Sequence, residues 1–245
     1  MQPEVLVSNG NKTSSSREKT VKRREILEKK KSVDQIIKSA SAPSKDHLSS
    51  FPPFRHYNKN GLCLYLAQGR GDKLSSRLKR YVKGVLKANM EGPYGSDWPA
   101  EEKVKHREMV AREAYYIFVH EAPKGNANQM SEFVEISNSA HCVDDRDPIV
   151  GFVQYRFTIE EEIPVLYVYE LQLEPCVQRK GLGEFLMQLI ELIAHKVIAV
   201  FLWFICLCFA FCSVGASPKN RMDAVVLTVQ KENLSALNFY INKMR

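Results

Sequence analysis

The residues best suited to chemistry lie between Glu170 and Phe185. Gln178-Arg179-Lys180-Gly181-Leu182-Gly183 follows a strand pattern and opens a helical one. Two glycines let a backbone come close to a ligand. The first amides of a helix lack carbonyl partners, and the helix dipole adds positive potential there. Such a turn can cradle a pyrophosphate, and Arg179 and Lys180 add charge. The spacing does not fit a P-loop, because no GxxxxGK(S/T) occurs, nor a dinucleotide fingerprint, whose third glycine would fall at Leu186. A ligand-free turn is the plainer alternative. Glu170 ends an apolar run and is placed to act as a general base, directly or through water. The plainer alternative for it is a carboxylate paired with Lys or Arg. Tyr167 and Tyr169 lie two residues apart, so on a strand they share a face.

The elements that must hold these residues read as follows. Leu62 to Ala67 alternates as a strand, and Leu74 to Met90 has an amphipathic helix pattern ended by Gly92-Pro93. Tyr94 to Pro99 is an aromatic loop, Glu101 to Glu113 a charged helix, and Ala114 to His120 a strand. Residues 121–148 are polar and predict a long loop. Ile149–Ile159 and Val165–Leu173 are strong strands joined by the acidic turn Glu160-Glu161-Glu162. Gly181 to Lys196 is a helix, Ala224 to Val229 a buried strand and Asn233 to Lys243 a last helix. Mixed strands followed by strand–helix–strand–helix predict an α/β domain with a partly parallel sheet.

The chain has 245 residues and a formal charge of +7. Residues 1–50 hold 11 basic and 6 acidic side chains, so +5 of that charge sits there. This predicts a basic, mostly disordered arm over 1–50, with a helical patch from Val21 to Lys38, and a compact domain over 51–245. The arm is a solvated face, a nuclear address or a phosphate-binding segment. The even charge elsewhere argues against a basic nucleic-acid-binding fold. Six cysteines form no CxxC pair and no His is spaced for zinc, so no metal and free thiols are expected. The first residues are polar and lack an apolar run, so no secretory signal is expected.

The loop motif, Q/R-x-x-G-x-G/A between strand and helix, resembles the acetyl-coenzyme-A loop of the GNAT N-acetyltransferases. Asn233-Leu-Ser-Ala236-Leu-Asn-Phe239-Tyr240 resembles the N-x-x-A-x-x-F-Y helix of the same superfamily. Both occur in order with a strand between them. Val165-Leu-Tyr-Val-Tyr-Glu-Leu-Gln-Leu-Glu174, Tyr57-Asn58-Lys59-Asn60-Gly61-Leu62, Asn89-Met90, Tyr94 and Trp98 are similar to the histone-specific N-terminal acetyltransferases within it. The similarity runs from about Phe51 to the C-terminus.

The resemblance implies a GNAT acyl-CoA N-acyltransferase fold, with a mixed central sheet flanked by helices. It implies transfer of acetyl from acetyl-CoA to the N-terminal serine amine of histone four and two-A tails, Ser-Gly-Arg-Gly. The expected setting is nucleus and cytoplasm, as a monomer. Glu170 would be the base, with Tyr169 in the catalytic set. Tyr94, Trp98, Thr158, Glu160, Tyr167 and Tyr169 would contact substrate, with Thr158 standing where the family suggests an acidic residue; the plainer alternatives are a hydrophobic loop anchor for Tyr94 and Trp98, packed or surface aromatics for Tyr167 and Tyr169, and a solvated hairpin tip for Glu160. The cofactor would meet Gln172, Leu173 and Glu174 along the strand, and Gln178, Arg179, Lys180, Gly181, Leu182, Gly183, Glu184 and Phe185 at the pyrophosphate. Thr228 and Asn233 would flank the pantetheine. Tyr240 is either the acid for the leaving thiolate or a packed helix residue.

Two departures stand out. Val197 to Ala216 is a run of 20 residues without a charge, long enough for a bilayer. It falls where the family has a short polar link, so an apolar insertion at about 197–218 is expected, with a membrane segment as the rival reading. The chain also stops near the Asn233 helix, where the family adds two strands, so C-terminal strands are expected to be missing and activity to be impaired. A lysine or small-amine acetyltransferase of the same fold and a catalytically dead binding module are the remaining alternatives.

Overall fold

In the computed structural model the described residues are 12–42, 46–122, 147–161, 163–209 and 225–242. Side chains are described for these except 12–18, 25, 29, 36 and 198–209. The frame is one six-stranded sheet in sequential order: β1 (His56–Lys59), β2 (Leu62–Arg70), β3 (Tyr115–Glu121), β4 (Ile149–Glu160), β5 (Ile163–Leu173) and β6 (Val225–Leu227). The first five pair antiparallel, and β6 joins β5 parallel. The mixed sheet flanked by helices agrees with the α/β expectation.

Helix α1 (Lys12–Ala40) precedes the sheet; α2 (Ser76–Tyr94) and α3 (Trp98–Met109) lie between β2 and β3. Helix α4 (Leu182–Phe209) follows β5, and α5 (Leu234–Asn242) follows β6. Alternation along β3 divides the core. Tyr115, Ile117 and Val119 pack with the α4 stripe Leu182, Leu186, Leu189, Ile190 and Ile193. Tyr116 and Phe118 face the other way, toward Leu78, Val82 and Leu86 of α2 and Met109 of α3.

Local chemistry sets several boundaries. Asn60 and Gly61, with φ of 53° and 74°, form the two-residue turn that joins β1 to β2. The Asn-Gly pair signals this hairpin, which the strand pattern alone misses. Ser75 caps α2 by accepting the Leu78 N–H at 3.2 Å. This helix does not end at Gly92-Pro93. It runs on to Tyr94, where the Gly95 N–H, at φ 54°, reaches the carbonyls of Glu91 and Gly92. The aromatic loop predicted over Tyr94 to Pro99 is therefore the end of α2, a short 3-10 turn and the start of α3.

The N-terminal arm differs from the loose segment predicted. Residues Lys12–Ala40 are helical, Ala40 and Leu48 are buried in the main core, and His47 is buried as a polar residue. The His47 ring bonds the Tyr155 hydroxyl at 2.7 Å and the Ala40 carbonyl at 3.1 Å, and Arg55 pairs with Asp46 at 2.6 Å. The packed unit thus begins before the boundary predicted at Ser50. Val21, Ile26 and Leu27 remain exposed.

Helix α4 also outruns its predicted end at Lys196. Val197, first residue of the expected insertion, is buried one turn beyond Ile193. No proline or glycine interrupts the sequence before Gly215, so nothing local stops the helix. Its backbone continues to Phe209; the rest of the insertion, and residues 123–146 of the loop expected over 121–148, lie outside the described residues. Among the described residues no helix is long and apolar enough to cross a membrane. Strand β6 is half-buried rather than buried, and shorter than predicted.

Candidate functional site

The site begins where β6 leaves β5. The parallel pairing covers only Leu166, Tyr167 and Val168 against Val225, Val226 and Leu227, while β5 continues to Leu173. Beyond that split opens a cavity of about 730 Å³. Its walls come from β5 (Leu171, Gln172, Leu173), from the loop and start of α4, and from α5.

The glycine loop forms one end. Arg179 and Gly181 have positive φ, 59° and 79°. The first holds a non-glycine residue in the left-handed region, and the second suits glycine. The Lys180 carbonyl accepts from the Tyr57 hydroxyl at 2.5 Å and from Asn60 Nδ2 at 2.9 Å, so the β1–β2 hairpin pins the loop from behind. The first bond of α4 runs from the Phe185 N–H to the Gly181 carbonyl at 3.1 Å. The preceding amides, Leu182, Gly183 and Glu184, have no carbonyl one turn back to receive them. These amides beside Arg179 suit a diphosphate, in charge and in hydrogen-bonding sense.

The loop residues divide by role. Gln178, Arg179, Gly181, Gly183 and Glu184 line the cavity. Leu182 is 1% exposed and Phe185 stacks on Phe54 at 4.9 Å, so both face the core, and the Phe185 N–H is already used. Lys180 contributes its carbonyl to the hairpin and does not line the cavity. Lys180, Leu182 and Phe185, for which the resemblance implies cofactor contact, thus do not line the cavity. Gln178 Nε2 donates to the Leu173 carbonyl at 2.9 Å, tying loop to strand.

Strand β5 carries the other end. Its pairing with β4 slips between Gln154 and Tyr155, which leaves Tyr169 as an extra residue between the pairs Tyr155–Val168 and Gln154–Glu170. The bulge inverts the alternation. Leu166 and Val168 face the α4 core before it, and Leu171 and Leu173 face that same core after it. Tyr167 and Tyr169 on one side of the bulge, and Glu170 and Gln172 on the other, consequently address the α2–α3 face. The two tyrosine rings lie 4.8 Å apart. Arg156 sits 4.4 Å from the centre of the Tyr169 ring and donates to the Glu108 carbonyl at 2.7 Å.

Glu170 is 5% exposed. Lys105 of α3 donates to its Oε1, and Gln172 Nε2 donates to its Oε2 at 2.8 Å. The paired-carboxylate alternative is thus what the fold displays, with a partner that the sequence did not single out. Burial lowers the Lys105 pKa, but the Glu170 carboxylate more than reverses this, and the ammonium ends above its ordinary value. Gln172 Oε1 accepts from Asn89 Nδ2 at 2.9 Å, and both residues reach the cavity wall. Tyr94 lies beside Lys105, 5.6 Å from ring centre to Nζ, and burial raises its pKa.

Other expected contacts fall elsewhere. Trp98 is 4% exposed within the α2–α3 core. The Glu174 N–H is spent on the Val150 carbonyl at 2.8 Å, so it cannot pair with a ligand arm. Thr228 accepts from the Tyr167 hydroxyl at 3.2 Å, which pins the end of β6, and it does not line the cavity. Thr158 and Glu160 stand near the β4–β5 turn, opposite Val165 and Ile163. Asn233 does line the cavity, though its Oδ1 caps α5 through the Ala236 N–H at 3.1 Å. Tyr240 also lines it, and burial, helped by the Glu170 carboxylate, pushes its phenol up to about 12. Among the described residues no cluster of His, Cys, Asp and Glu could hold a metal ion.

No family model matches the chain. Structural comparison finds a ribosomal-protein-alanine N-acetyltransferase from Brucella melitensis biovar Abortus 2308, 12% identical, covering 72% of this chain and 88% of the other, with a TM-score of 0.36. A possible acetyltransferase from Clostridium difficile 630 is 15% identical over 72% and 86% of the two chains, TM-score 0.36. An aminoglycoside N-acetyltransferase in complex with CoA is 10% identical over 75% and 88%, TM-score 0.34.

Proposed function

We propose that this chain is a GNAT-type N-acetyltransferase that moves acetyl from acetyl-CoA to the α-amine of Ser-Gly-Arg-Gly histone tails. In its motifs it resembles N-alpha-acetyltransferase 40. The observation that carries the reading is the cavity at the β5–β6 split, walled at one end by the first turn of α4 and backed at the other by Gln172 and Glu170. The amides of Leu182, Gly183 and Glu184, with Arg179, would hold the diphosphate. Bound there, acetyl-CoA supplies an activated acyl group. The backbone of Leu171 to Leu173 would align its arm. Glu170 would take the proton of the acceptor amine, and Tyr240, whose proton is held to about pH 12, would give one to the leaving thiolate. Tyr167 and Tyr169 would enclose the first residue of the tail, and Glu160 at the hairpin end would meet its arginine. Histone tails as partners, a nuclear and cytoplasmic setting and a monomeric state belong to the same reading.

A thiol-release assay with a Ser-Gly-Arg-Gly peptide tests it, run beside an N-terminally blocked copy. Release that continues past one equivalent per protein is expected with the free peptide alone. Equal release with the blocked peptide, given a lysine, would move the reading to a lysine acetyltransferase; the Lys105 ammonium resting on Glu170 is the observation that favours this alternative. No release with any amine would remove the proposal.

A further inference from the structure

The acceptor end of the site already contains a primary amine. Lys105 stands 65 residues before Glu170 in the chain, yet its Nζ donates to Glu170 Oε1. The two side chains are 13% and 5% exposed. The ring of Tyr94 lies on the ammonium's flank at 5.6 Å. A buried carboxylate and an aromatic face are the groups that would receive any incoming ammonium. From Glu170 the contacts lead through Gln172, at 2.8 Å, straight to the cavity wall.

We propose that Lys105 occupies the seat of the acceptor amine and is itself acetylated, in cis, when an acyl thioester fills the cavity. This rests on the acetyl-transfer reading above. The flexible four-carbon stem gives the amine the reach to turn from Glu170 past Gln172. Glu170 takes a proton from the ammonium. The neutral Nζ then forms a bond to the acetyl carbon, the carbon–sulfur bond breaks, and the thiolate leaves with a proton. One ammonium and one thioester become one acetamide, one thiol and one released proton. The product amide is neutral, so the carboxylate loses its resident cation and the seat is open to the amine of a substrate.

The pair is faced by Tyr94 of α2, Glu108 of α3, Tyr116 of β3, Arg156 of β4 and Tyr240 of α5. Among them Glu170 keeps Lys105 protonated at neutral pH. Self-acetylation should therefore be slow at pH 7 and quicken about tenfold per pH unit toward the lysine range.

The test uses the full chain incubated with acetyl-CoA, digested and read by mass spectrometry, alongside CoA calorimetry and peptide acetylation. An acetyl group on Lys105, formed at a rate independent of protein concentration and rising with pH, is the expected result. A rate that grows with protein concentration overturns the cis step. Peptide acetylation with Lys105 unmodified overturns the proposal and leaves the proposed function standing. CoA heat with no acetyl transfer to peptide or lysine, or no heat at all, overturns both. A second readout needs no cofactor: an amine-reactive reagent should label Lys105 far more slowly than exposed Lys103, and Glu170→Gln should erase the difference. Equal labelling in the unmodified protein would show that Lys105 is not held in the seat.

Discussion

The two ends of the cavity are built by different means. The α4 end is made of backbone: two residues at positive φ, a carbonyl held by the hairpin, and amides that a helix leaves unpaired. The β5 end, the acceptor end of the proposed function, rests on side chains from three elements: Asn89 on α2 and Gln172 on β5 at the cavity wall, and behind them Glu170 on β5 and Lys105 on α3. A backbone site depends on local sequence and tolerates most side chains. A side-chain site depends on packing between distant segments, and each member leaves a buried partner stranded when removed. Substitutions at the two ends should accordingly fail in different ways.

The largest effect is expected at the acceptor end. Glu170→Gln should cut peptide turnover about a hundredfold to ten-thousandfold, the usual contribution of a general base, while CoA affinity in calorimetry stays as before. Equal loss of both would erase the distinction between the ends. Tyr240→Phe sharpens it further: loss of the proton donor should slow turnover by up to about a hundredfold. The rate of the unmodified protein should show no loss from Tyr240 ionisation until pH nears about 12. A twofold change or less would make Tyr240 a packed residue only.

At the backbone end Gly181→Ala should do the reverse. Its φ is 79°, and an added Cβ would come within 2.9 Å of the Tyr57 hydroxyl. Strain of about 1–3 kcal/mol should appear mainly as CoA affinity weakened by roughly tenfold or more. Turnover at saturating CoA should change less. The smallest effect lies outside both ends. Gly61→Ala has φ of 74° with nothing near its Cβ, so only the backbone preference is lost. It should lower stability in urea unfolding by about 1 kcal/mol. A much larger loss would mean that the hairpin holds the Lys180 carbonyl cooperatively.

The same contrast explains what was legible. Gly181, Gly183 and the strand before them announce a backbone cradle, because glycines and helix starts are local signals. The long strands and α4 are legible for the same reason. Lys105 is not, since one lysine in the charged sequence Glu101 to Glu113 looks like any solvated one until α3 is laid against β5. The bulge at Tyr169 is equally hidden. Strict alternation puts Tyr169 and Glu170 on opposite faces, and only the register of β4 against β5 turns both toward α3. Trp98 misled in the other direction. Its aromatic neighbours suggest a binding loop, but a buried α3 start uses the indole as core. The low hydrophobicity of 1–50 hides the extended α1 and the few buried contacts that anchor it at His47.

The central claim is that the first turn of α4 holds the diphosphate of CoA. Amide hydrogen exchange, measured with and without CoA, reads it residue by residue. Slower exchange at Leu182, Gly183 and Glu184 on adding CoA, with Val226 of β6 unchanged, is the expected result. CoA binding with heat, but with no slowing at those amides, would contradict it.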